Sequence, residues 1–185
     1  MTVSSTTPPH HLQLVLDFVN TLDVETQSDA LSFPEQLAAW LRQQGLIGSS
    51  APRIGNGEHR QAIELREALR ETMHAHTRGS SGTAGAAAQL DAVAEAGRLA
   101  PCFEPDGRVH LAARHPGYPG VLARLLVPVA TAALDGTWSR VKACDADDCA
   151  EAFYDRSRNR SGRWCDMAVC GNRTKVRAYR SKRRS

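Results

Sequence analysis

Four cysteines set the chemistry this chain can offer. Cys144 and Cys149 are separated by four residues, fifteen residues follow, and Cys165 and Cys170 are again separated by four. Thiolates are soft ligands, and two short Cys pairs joined by a loop can turn four sulfurs onto one zinc ion, each pair folding as a knuckle. The four-residue spacing lies within the range used by zinc pairs, though two is commoner. A disulfide framework is the rival reading. The first residues show no secretory pattern, and four cysteines within 27 residues of an otherwise Cys-poor chain suit a reducing cytosol, so one structural Zn2+ is expected. Four thiolates close the coordination sphere and leave no position for an activated water. Hydrolysis at the metal, and an enzymatic role generally, are therefore not expected, and no nucleophile with a base at readable spacing argues otherwise.

Basic charge gathers around these cysteines. Residues 138–185 hold 13 Lys and Arg against 6 Asp and Glu, whereas residues 1–137 hold 10 against 14. A basic appendage on a neutral or acidic body is the electrostatic footprint of a nucleic-acid-binding module. Residues 173–185 alone carry seven basic side chains and no acid. On a helix Arg173, Arg177, Arg180 and Arg184 form one stripe, with Val176 and Tyr179 turned to the rest of the module. Arg163, Arg173, Lys175, Arg177, Arg180, Lys182 and Arg184 are the candidate nucleic-acid contacts. Arg163 and Arg173 have a second use, since zinc with four thiolates carries a net negative charge that nearby cations balance. A solvated basic tail is the plainer reading of the terminus. RNA is permitted by the same charges, although it usually calls for exposed aromatics, for which Tyr154 and Tyr179 are available.

The elements that must position these groups are mostly helical. Only 5% of residues are aromatic, so the core is built from Ala, Leu and Val. Apolar periodicity predicts helices over about 11–22, 34–44, 58–77, 86–96 and 119–134, the last kinked or broken near 125–127 by Pro128. Alternation through 99–103 and 109–111 around Pro105-Asp106-Gly107 predicts a hairpin, with Cys102 a buried strand residue. Residues 1–9 read as a disordered tail, 10–134 as a helical or α+β domain, and Asp135-Gly136-Thr137 as the boundary before a module over 138–185. Within that module, Trp138 to Ala143 reads as a short strand. Ala152 to Tyr154 and Arg163-Trp164 read as the arms of a hairpin, and 173–183 as a helix. Gly171 is placed to take a positive φ, Asn172 to cap the helix, and Trp164 to cover the metal. The fold class is thus α+β: a mainly helical first domain with one hairpin, plus a small treble-clef-like zinc finger. No apolar run approaches a membrane span, and a cytoplasmic protein is expected.

Phe153-Tyr154-Asp155-Arg156-Ser157, Arg163-Trp164-Cys165 and Cys170-Gly171-Asn172-Arg173 with Lys175-Val176, in that order, resemble the CGNR zinc finger. The resemblance covers about the last quarter of the chain. The chain departs from it at Gly162-Arg163, where many members have a basic doublet before Trp-Cys. Leu16-Asp17-Phe18-Val19-Asn20-Thr21 resembles the start of the ABATE domain that precedes such fingers. The resemblance implies a bacterial protein thought to regulate transcription under stress, its finger binding DNA and its first domain sensing a ligand; that domain could also make a homodimer. On the alternative reading the first domain is a small-molecule-binding or enzymatic unit, with the finger a scaffold or protein contact. Asp17, Asn20 and Thr21, the polar strip of the first helix, are then its candidate ligand groups together with Arg66.

Overall fold

The computed structural model describes residues 8–183. Most of the tail expected over 1–9 lies outside them, as do Arg184 and the Lys182 side chain. Helix α1, His10–Val19, begins after Pro9 and buries Leu12, Val15, Leu16, Phe18 and Val19, a wide apolar arc suited to a core position. It stops three residues before the expected end. Leu22–Asp23 (β1) instead pairs antiparallel with Ser28–Asp29 (β2), across a turn in which the Asp23 carboxylate accepts the Thr26 N–H and Gln27 takes a left-handed φ of 57°. Helix α2, Pro34–Gln43, opens on a proline whose missing N–H costs nothing in the first turn.

Helix α3, Asn56–Arg78, is the longest element and ends at Gly79 in the left-handed region, where a residue without Cβ is unstrained. Leu65, Leu69 and Met73 on its inner face are fully buried. It packs against α1, α2 and Ala84–Ala96 (α4), whose first turn is capped by Thr83. The expected hairpin forms from Leu99–Phe103 (β3) and Val109–Ala113 (β4), with Phe103 opposite Val109 and Leu99 opposite Ala113. Cys102 is half-buried rather than buried, with its Sγ 3.4 Å from the Arg114 guanidinium. The helix expected over 119–134 is two: Tyr118–Arg124 (α5) and Val127–Leu134 (α6). The break at Leu125-Leu126 puts Pro128 in a first turn, where it removes no bond.

After a 3-10 turn at Trp138–Arg140, strand β5, Val141–Ala143, pairs antiparallel with β6, Ala152–Tyr154. This corrects the expected hairpin: the partner of 152–154 is 141–143, not Arg163-Trp164. The helix beside it decides the pairing, because β5 lies against α3 and is buried at all three residues. Val141, Ala143 and Ala152 belong to the same hydrophobic cluster as Leu65, Leu69 and Phe18. The core therefore continues across Asp135-Gly136-Thr137. A single π-turn, Met167–Gly171, leads into the last helix, α7, Asn172–Lys182. Among the described residues no helix is long and apolar enough to cross a membrane.

Candidate metal centre and basic helix

Cys144 follows β5 directly, and Cys149 closes the β5–β6 connection. Backbone bonds set this knuckle: Cys144 N–H donates to the Glu151 carbonyl at 2.9 Å and Cys149 N–H to that of Ala146 at 3.0 Å. Ala150 adopts φ 98° to bring the chain back into β6. Cys170 comes from the π-turn that leads into α7, and Cys165 from the bend just before it. The four Sγ atoms lie within 4.8 Å of one another, with Cys149 to Cys165 and Cys165 to Cys170 both 3.7 Å apart. A tetrahedron with Zn–S bonds of about 2.3 Å has edges of roughly 3.8 Å, whereas a disulfide requires about 2.05 Å. All four are free cysteines. The donor set fits one structural zinc, and disulfides are excluded.

Hydrogen bonding and burial make the sulfurs unequal: the Cys165 thiol draws Cys144 down to about 5 by hydrogen bonding to its thiolate, Cys165 itself is shifted up by that bond and by burial, and burial pushes Cys149 up to about 12.

Trp164 packs against the sulfurs, the cover expected of it. Two other expectations are corrected. Gly171 has φ −63° and continues the helical turn; a Cβ there would lie 2.6 Å from the Met167 sulfur and 3.4 Å from the Trp164 ring, so the exposed Met167 side chain would have to move aside. Asn172 does not cap α7. Asp166 caps the turn, accepting the N–H groups of Ala168 and Val169, while the Asn172 amide donates to the Ala168 carbonyl.

The loop between the Cys pairs hangs on a buried ion pair. The Lys142 ammonium donates to the Asp155 carboxylate at 2.7 Å and to the carbonyls of Arg160 and Gly162. Asp155 also accepts the N–H groups of Ser157 and Gly162, and both charged side chains are 3% exposed. Burial alone would push the carboxyl up, yet Lys142 and the Ser157 and Gly162 bonds hold it down to about 2. Lys142 did not stand out in the sequence, and Asp155 did so only as part of the Phe153-Tyr154-Asp155-Arg156-Ser157 run.

The finger is pinned to the helical body by side chains from α1 and α3. The Asn20 amide makes two bonds to the Ala152 backbone, donating to its carbonyl at 2.9 Å and accepting its N–H at 2.7 Å. His76 meets the Val141 carbonyl at 2.8 Å, and Thr77 donates to that of Ala143 at 2.6 Å. The four candidate ligand groups thus have other work or other surroundings. Arg66 grips Asp29 with two bonds and reaches the Thr21 hydroxyl, Thr21 donates to the Phe18 carbonyl, and Asp17 accepts from Gln13. Of the four, only Asn20 lines the cleft of about 290 Å³ between β1 and the knuckle. A larger cavity, about 420 Å³, lies elsewhere, between 46–58 and 116–124.

The expected basic stripe is divided. Arg173 pairs with Glu25 at 2.6 Å and lies 3.3 Å from Asp148, which also takes Arg177 at 2.6 Å. Arg173 further approaches the Cys170 sulfur at 3.5 Å. Arg163 pairs with Asp145, which Arg78 also reaches. Lys175 and Arg180 are exposed and stand outside these pairs. Val176 and Tyr179, expected to face the module, are instead 47% and 62% exposed. The reason is that α7 packs mainly through the π-turn at its base, and Glu25 and Asp148 rotate its Arg173 and Arg177 side inward. Asp145, Asp147 and Asp148, so close to the first ligand pair, were the available signal.

Comparison with known families gives two matches. Residues 12–136 match the model of the ABATE family, described as "Putative stress-induced transcription regulator", and residues 140–183 match the CGNR zinc finger. A search of curated proteins returns no match.

Proposed function

The chain belongs to the ABATE family, whose model covers more than half of it, with a CGNR zinc finger behind, and from that premise we propose a cytoplasmic transcription regulator that binds DNA through α7. The first domain receives a ligand signal or makes a dimer, and the zinc has no catalytic part. One observation carries the reading: a closed four-thiolate site holds the base of a helix that bears cations on its exposed side and no acid. The zinc ion would supply a rigid, charge-balanced anchor. Cys144, Cys149, Cys165 and Cys170 hold it, Trp164 keeps water from it, and Arg173 and Arg163 offset its surplus negative charge.

Because Arg163, Arg173 and Arg177 are held by the protein's own acids, fewer phosphates are met than a count of basic residues suggests. Among the described side chains of this segment Lys175, Arg180 and Arg183 remain, and they contribute about −3 to the slope of log affinity against log salt, where six contacts would give about −5. The test is fluorescence anisotropy of the zinc-loaded protein with duplex DNA between 50 and 200 mM salt, about the range over which such binding weakens. Binding that weakens with salt and vanishes in the Cys165→Ala variant supports the regulator. Absence of binding to any duplex rejects it in favour of a scaffold role for the finger.

A further inference from the structure

Helix α7 has two sides with different chemistry. Arg173 and Arg177 are turned to the body, toward Glu25 and Asp148, while Thr174 donates to the Cys170 carbonyl one turn back at 2.9 Å. Away from them, at about 100° per residue, the order around the helix is Lys175, Tyr179, Arg183, Val176, Arg180, the last only about 20° from Arg173. These five span an arc of roughly 140°, with a cation at each edge and, between them, the exposed Tyr179 and Val176 and the Arg183 side chain. The Arg183 guanidinium stands 5.7 Å over the Tyr179 ring. An aromatic and an aliphatic side chain held in water are a cost to the free protein, and among the described residues Val176 and Tyr179 stay 47% and 62% exposed.

We infer that this face seats in the major groove of duplex DNA, with Lys175 and Arg180 on the phosphates of opposite walls and Val176 and Tyr179 against base edges. The inference rests on the DNA-binding reading and adds which residues read sequence. A helix about 10–12 Å across matches a groove about 12 Å wide. Phosphates line both walls, as the two flanking cations require, and the floor presents thymine methyls to which apolar side chains can pack. Duplex RNA lacks such a groove, its major groove being deep and narrow. A second copy of α7 is disfavoured by the all-basic charge of residues 173–185. Arg173 and Arg177 are on this assignment positioning residues, spent on aiming the helix.

The experiment uses full-length, zinc-loaded protein and a pool of random-sequence 20-base-pair duplexes. Affinity is measured across salt, and bound duplexes are sequenced. Lys175→Gln and Arg180→Gln should each reduce the salt slope by about 1, whereas Arg177→Gln should leave it unchanged. Tyr179→Ala and Val176→Ser should keep the slope but flatten the sequence preference enriched by the wild type. An equal loss of slope in Arg177→Gln, unchanged enrichment in both apolar variants, or Tyr179-dependent preference for single strands over duplex would overturn the assignment while leaving nucleic-acid binding intact. Failure of the wild type to bind duplex at all would remove the regulator reading and this inference together.

Discussion

Removal of the Lys142 ammonium tests how the finger is built. Lys142 and Asp155 are each 3% exposed and 2.7 Å apart, so Lys142→Met would strand a carboxylate in a site shaped for an ion pair. Breaking a buried pair by removing one partner costs about 3–5 kcal/mol. In a chain of this size each kcal/mol lowers Tm by about 2–4 °C, so a fall of about 6–20 °C is expected at pH 7.5. The pH dependence gives a second sign. In the wild type the Asp155 carboxyl is depressed to about 2 from 3.8; its contribution is fully present above the unfolded value and is lost only as pH falls toward 2. In the variant the Ser157 and Gly162 N–H groups still bind the carboxylate, but without Lys142 the folded carboxyl lies above the wild type's value of about 2. The variant therefore loses its carboxylate contribution at a higher pH than the wild type does. The two proteins are compared in circular-dichroism melts at pH 7.5, with zinc retained in both as checked by metal analysis. Melting within 2 °C of wild type at pH 7.5 would refute the reasoning.

Other perturbations follow from the same contacts. Asn20→Ala removes both side-chain bonds to Ala152; a loss of about 1–3 kcal/mol and faster hydrogen exchange of the Ala152 amide are expected. Chelation of zinc, or Cys170→Ala, should release the 163–183 segment to proteolysis while β5 stays protected against α3, since Val141 and Ala143 are fully buried there; simultaneous exposure of β5 in mass-spectrometric exchange would contradict this. Glu25→Gln should change Tm by less than about 2 °C, because its ion pair with Arg173 involves a carboxylate that is 54% exposed, and a large shift would show that this contact is stronger than its geometry indicates.

Helical periodicity was legible because α1, α2, α3 and α4 each bury a repeating stripe, and the α5–α6 break was legible because Pro128 can occupy only certain turns. Cysteine spacing alone pointed to the zinc ligands. What the residues did not disclose depends on partners distant in the chain. β1 and β2 contribute two residues each, too few to show a period. β6 pairs with β5 rather than with Arg163-Trp164 because α3, some 65 residues earlier, offers His76 and Thr77 to the β5 carbonyls. The outward side of α7 is chosen by Glu25, 148 residues before Arg173. A wheel drawn from the helix alone places the apolar pair inward, because the rule that apolar faces turn in presumes a neighbour to receive them.

The two family matches meet between residues 136 and 140, but the physics does not divide there. Val141 and Ala143 belong to the core of the helical body, and the residue after them is a metal ligand. Helix α3 therefore bears on both, with Leu65, Leu69 and Met73 inside the core, His76 and Thr77 on β5, and Arg78 on Asp145 beside Cys144. A ligand ion bound only by the folded chain stabilises whatever unfolds with its site. Since β5 cannot leave α3 without opening buried apolar surface, part of the zinc-binding free energy is shared with the helical body, and the orientation of Cys144, hence of the whole thiolate cluster and α7, is set by the last turn of α3.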